Sequence, residues 1–119
     1  MLPWLEETFQ QMDSAREEAG QKREKLSQSV RQAHRNGGKG VEIEIGGAQE
    51  HIMELDKIID QCLREVAIKG IIVRDPTREL VDFPAFRKHG EVFLCWMRGE
   101  PKIAYWHETN VGYAGRQPL

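Results

Sequence analysis

Nine positions in the first third of the chain, Leu5, Phe9, Met12, Arg16, Ala19, Arg23, Leu26, Val30 and Ala33, step alternately four and three residues apart, and seven of them are apolar or alanine. That spacing lays them along one stripe of an α-helix, the seam of a coiled coil. Pro3 suits the first helical turn, where its missing N–H costs nothing. Asn36-Gly37-Gly38 supplies a left-handed stop. A second stripe, Ile52, Leu55, Ile59, Cys62 and Val66, predicts a second helix from about Ala48 to Lys69, stopped by Gly70. Met53, Ile58 and Leu63 widen it, so this helix is expected to be buried on more than one side. The first helix would run about 50 Å and the second about 33 Å. A partner inside the chain is too short to cover the first. With Arg16 and Arg23 on its seam, this predicts a homodimer, isologous through helix one.

Residues 37–47, GGKGVEIEIGG, form the glycine-rich connection. Val41, Ile43 and Ile45 alternate with Glu42 and Glu44, which reads as a short edge strand between glycines. A phosphate-binding loop does not fit, since no strand clearly precedes the glycines and no Lys-Ser or Lys-Thr pair follows.

The second half changes character. Seven of the nine aromatic residues lie between Phe83 and Tyr113, and aromatics favour strands. Residues 70–74 and 79–83 read as short strands joined by the Asp75-Pro76-Thr77 turn, with Pro84 ending the second. Residues 91–97 and 102–107 flank Arg98-Gly99-Glu100-Pro101, the clearest hairpin signal. Pairing Met97 with Lys102 sets Trp96 opposite Ile103, Leu94 opposite Tyr105, and Val92 opposite His107. Cys95 and Phe93, opposite Ala104 and Trp106, then take the other face. In that register Cys95 and His107 point apart; a loop one residue longer or shorter would bring them together. Both faces are apolar, so the buried one is not defined by pattern. The expected fold is α+β, a single domain over 1–119: a long antiparallel helical hairpin over 1–69, followed by a small antiparallel β-sheet and a C-terminal tail over 70–119.

The net charge of -2 excludes the excess of base that nucleic-acid binding needs. No apolar run is long enough for a membrane span. Glu6, Glu7 and Gln10 occupy the place of a secretory signal's apolar region. Two cysteines, Cys62 and Cys95, in no CxxC pair, make no disulfide framework, and a cytoplasmic location is expected.

Residues 70–119 carry LVDFP at 80–84, LCW at 94–96, GEP at 99–101, Trp106-His107, and GRQPL at 115–119. In that order and spacing they resemble the C-terminal signature of an uncharacterised prokaryotic family, domain-of-unknown-function family 2203; the helical half resembles it in pattern and in its opening LPWL. Glu79 stands where that family is expected to carry glycine. The resemblance also implies a short segment ahead of LPWL and a small cytoplasmic bacterial protein, and it supplies no mechanism and no cofactor.

His107 and Glu108 form the most chemically suggestive pair, with Asp82 and Cys95 able to complete a ligand set. No ligand spacing supports a metal, and none is assigned; the plain alternative is a histidine bonding a neighbour at the sheet edge. Cys95 and Cys62 read as buried, inert thiols. Arg116 is expected either to fork onto Asp82 or Glu100 and tie down the tail, or to bind an anion between Trp106 and Tyr113. Asp82, Trp106, His107, Glu108, Tyr113 and Arg116 are thus the candidate surface. Two functions follow: a non-catalytic interaction or assembly protein, homodimeric through its helices and presenting the sheet to a protein partner, or a small metal-dependent or anion-binding enzyme with its site on the sheet.

Overall fold

A computed structural model gives α1 over Leu2–Arg35, α2 over Glu42–Ile68, and five strands: β1 Ile72–Asp75, β2 Leu80–Arg87, β3 Gly90–Met97, β4 Tyr105–Glu108 and β5 Gln117–Pro118. It describes residues 1–35, 37 and 42–119, with the side chains of 42 and 43 excepted. The strands form one antiparallel sheet in sequence order, β1-β2-β3-β4-β5. Two helices packed on each other and then an antiparallel sheet make an α+β fold. The chain divides into two compact units, one of Met1–Glu6 with Leu63–Leu119 and one of Glu7–Cys62.

On α1 the buried positions are Leu5, Thr8, Phe9, Met12, Ala15 and Ala19. The heptad pattern placed Arg16 in that stripe. Ala15 takes the slot instead, and Arg16 turns outward to Asp13 at 3.4 Å. The helix period of 3.6 accommodates either neighbour, and the one without a charge is the one that loses water at no cost. Arg23 also leaves the seam: its guanidinium crosses to Asp56 on α2 with two bonds of 3.0 Å. Ala15, Ala19 and Leu55, with Ile59 against them, form the core of the helix pair.

The α2 stripe is as the pattern predicts, with Ile52, Leu55, Cys62 and Val66 buried. Its expected widening holds in part at half-buried Leu63 and fails at Met53 and Ile58, which are 60% and 45% exposed. The expected edge strand also fails. Val41 lies outside the described residues, and Glu42, Ile43, Glu44, Ile45, Gly46 and Gly47 all belong to α2. Five residues of alternation cannot outweigh propagation of an established helix, where each further residue adds a hydrogen bond. Gly70 closes α2 with φ of 79°. Its N–H bonds the Ala67 carbonyl at 2.9 Å and that of Ile71 bonds the Val66 carbonyl at 3.3 Å. Buried Ile71 and Val66 complete this Schellman ending.

Asp75 starts the turn after β1 by accepting the Thr77 and Arg78 amides on Oδ1 at 3.0 and 3.1 Å. Pro84 does not end β2. It pairs with Phe93, beyond the stretch Leu80–Asp82 that β1 covers, so its missing N–H faces no neighbouring strand.

The β3–β4 register differs from expectation by one residue. Val92 pairs with Glu108, Phe93 with His107, Leu94 with Trp106, and Cys95 with Tyr105. The reason lies in the connection. Glu100 Oε1 takes the Met97 amide at 2.7 Å, and the Glu100 carbonyl takes the Trp96 indole N–H at 3.0 Å. A tight hairpin would have given the Met97 amide to the facing strand. With that donor spent on Glu100, residues 98–104 form a wider loop and pairing starts at Tyr105. Val81, Trp96 and Val92 are buried on one face, and Asp82, Cys95 and His107 on the other.

Candidate functional site

The one-residue change of register builds the site. Asp82 faces Cys95 across β2 and β3, Cys95 faces Tyr105 across β3 and β4, and His107 sits one pair further along the same face. The Asp82, Cys95 and His107 side chains each offer one donor atom, and these atoms lie within 4.8 Å of one another. All three residues are buried, at 2%, 1% and 2% exposure.

Each polar atom has a defined neighbour. His107 Nδ1 donates to the Glu108 carbonyl at 2.9 Å, and His107 Nε2 lies 2.9 Å from Asp82 Oδ1, the two sharing one proton. The same carbonyl accepts the Val111 amide at 3.2 Å, which turns the chain after β4 back over the site. Arg74 Nε donates to Asp82 Oδ2 at 2.8 Å. Arg74 is the extra residue of a bulge in β1, since Val73 pairs with Val81 and Asp75 already with Leu80. Bulges re-aim a side chain, and this one sends a guanidinium to a buried carboxylate. Arg74 also lies 4.9 Å from the centre of the Phe93 ring. Burial, and then the Asp82 charge, push the Cys95 thiol up, which keeps its sulfur neutral while nothing is bound.

A cavity of about 310 Å³ opens onto this cluster. Its walls include Arg74, Asp82, Cys95, His107 and Tyr113, with Thr109 and Asn110 from the segment after β4.

Of the candidates from the sequence, Asp82, His107 and Tyr113 therefore share one concavity. Arg116 stands beside it and forks onto Glu100 at 3.0 and 2.9 Å. It is sandwiched between the Tyr105 and Tyr113 rings at 4.0 and 4.3 Å. Burial tends to raise the Glu100 carboxyl, but the Arg116 hydrogen bond, the Met97 amide and the Arg116 charge outweigh it and hold it below the ordinary carboxylate range. Glu108 contributes only its carbonyl here; its side chain is exposed and lines a different cavity with Trp106 and Arg87. Trp106 belongs to that other face, with Arg87 4.4 Å from its ring centre. The aromatic wall expected of Trp106 is Tyr105. Arg74 was missed, although it is the lone charge after three β-branched residues in IIVR, the one signal that marked it.

Fold and site together define an α+β protein with a buried aspartate, cysteine and histidine at the wall of a small cavity. The chain belongs to the family of uncharacterised conserved proteins DUF2203, whose family model matches residues 1–119. No curated protein and no solved structure matches it. No described helix is long and apolar enough to cross a membrane.

Proposed function

We propose that this protein is a small enzyme acting on an anionic small molecule, with its reaction centre in the sheet cavity. One observation carries this reading: Arg74, Asp82, His107 and Tyr113, on β1, β2, β4 and the turn after it, converge on a single concavity. Buried titratable groups at the wall of a cleft are costly to keep for packing alone. Arg74 spends its Nε on Asp82 and lines the cavity. Its planar fork suits a carboxylate or phosphate. Asp82, joined to both Arg74 and His107, then holds these groups beside the bound anion.

The test is a thermal-shift and calorimetric screen of small carboxylates and inorganic phosphate against the full chain and Arg74→Gln. A ligand present at a hundred times its Kd stabilises by about 2.7 kcal/mol, several degrees of melting temperature. At least one anion is expected to do this for the native chain and none for Arg74→Gln. No shift with any anion, or equal shifts for both proteins, overturns the proposal.

A second reading, assembly of two copies through the helices, is favoured by Val30, Met53 and Ile58, which stand 38%, 60% and 45% exposed on the helix pair.

A further inference from the structure

We infer that Asp82, Cys95 and His107 are the ligands of a single divalent transition-metal ion, zinc in the first instance, whose fourth position opens into the sheet cavity. This deepens the enzyme reading by naming the cofactor of the same site, and it rests on that cavity being the reaction centre.

Four features support it. The first is distance. Around one zinc ion, sulfur sits about 2.3 Å away and nitrogen or oxygen about 2.0–2.2 Å. Donors of one tetrahedral ion are therefore separated by less than about 4 Å, and the three here already lie within 4.8 Å. The widest donor separation has to shrink by no more than about 1 Å. Among the described residues this is the one group of three such donors that the fold assembles.

The second is the support behind each ligand. A metal-binding histidine almost always donates its other ring N–H to a carbonyl or carboxylate, which fixes the ring. His107 Nδ1 does so to the Glu108 carbonyl, leaving Nε2 aimed at Asp82 and Cys95. Asp82 Oδ2 is held by Arg74, leaving Oδ1 for the ion. The Arg116 guanidinium stands near Cys95.

The third is the mixture of donors. A thiolate with an imidazole selects zinc, cobalt or iron over magnesium and calcium, which prefer oxygen alone. Coordination sends the thiol proton and the proton shared by His107 Nε2 and Asp82 Oδ1 to solvent, and the ion replaces the hydrogen bond now joining them.

The fourth is the vacancy in the ligand count. Structural zinc sites are closed by four protein ligands, whereas catalytic ones keep three and leave a position for water or substrate. Three ligands beside a 310 Å³ cavity match the catalytic pattern. The loaded cluster is neutral, two positive charges against one carboxylate and one thiolate. Arg74 then keeps an unspent charge at the cavity wall, which agrees with an anionic substrate.

The experiment uses the full chain purified without an affinity tag, stripped with a chelator and titrated with Co²⁺, with Zn²⁺ as competitor. One Co²⁺ per chain is expected, with a thiolate-to-cobalt charge-transfer band and visible bands of four-coordinate strength, both erased by one equivalent of Zn²⁺. Cys95→Ser, nearly isosteric, should lose the charge-transfer band, and Cys62→Ser should keep it. Arg74→Gln should weaken the metal by about 10–100-fold. Circular dichroism of each variant confirms that it is folded. Sub-stoichiometric uptake by the native chain, or a band that survives in folded Cys95→Ser, overturns the inference. The two proposals fail separately. Anion binding by the stripped chain with no cobalt uptake sinks the metal alone. Stoichiometric cobalt whose spectrum ignores every anion, with no thermal shift, sinks the substrate reading alone.

Discussion

Glu79 shows how one residue can be held where its backbone is strained. It is a non-glycine residue with φ of 55°, and it is buried. The resemblance marked this position as one for glycine, and its backbone is the reason: a left-handed residue with a Cβ costs about 1–2 kcal/mol. Arg98 offsets the cost, donating to both Glu79 carboxylate oxygens at 3.0 and 2.9 Å while its own amide donates to the Glu79 carbonyl at 3.1 Å. Glu79→Ala keeps the strain and loses the ion pair. Its expected cost is about 1–3 kcal/mol, the range for hydrogen bonds to charged groups and their loss. Glu79→Gly also loses the pair but relieves the strain, so it should be milder than Glu79→Ala by about 1 kcal/mol. Urea unfolding midpoints of the two variants decide; equal losses would mean that the backbone there is not strained. Sequence pattern could name the position but not the compensation, because Arg98 is nineteen residues away in the chain.

At the scale of elements, legibility depended on how local the deciding interaction was. The α2 stripe and its Gly70 ending were readable because each depends on neighbours three to five residues apart. The hairpin was readable as a hairpin, but its register turned on the Glu100 side chain taking the Met97 amide, and no propensity encodes that. The site inherited this uncertainty, since one step of register decides whether Cys95 and His107 share a face. The fifth strand, Gln117–Pro118, is two residues long and has no pattern of its own; it exists because β4 offers a free edge. The start of α2 was the plainest loss. Gly46 and Gly47 look like a loop but lie within the helix, and a Cβ at either would meet nothing within 4 Å. Alanine there should therefore stabilise by roughly 0.5–1 kcal/mol each. A double variant is expected to melt several degrees higher, and a lower melting temperature would mean that these residues are not helical in solution.

For the whole molecule, the question is what the helix pair does beyond its own core. Burial along α1 stops at Ala19 and on α2 begins at Ile52. Leu26 is only partly buried, and Val30 is exposed. Among the described residues none of 26–35 or 44–50 is fully buried, and Arg31 pairs with Glu24 in solvent. Isolated helical turns of this kind open at little cost, so in a lone chain their amides should exchange fast while those of β2 and β3 exchange slowly. A second copy laid along Val30, Met53 and Ile58 would bury apolar surface in the Val30 turn and along α2 from Met53 to Ile58. Protection at 26–35 and 53–58 would then rise with protein concentration, following mass action, whereas protection in the sheet would not move. Hydrogen exchange read by mass spectrometry over a hundredfold range of concentration, with light scattering on the same samples, separates the cases. Concentration-dependent protection in those helical turns, accompanied by doubled mass, is the expected result. Fast exchange at every concentration from a particle of one chain's mass would end the assembly reading and leave the sheet cavity as the sole candidate for this protein's work.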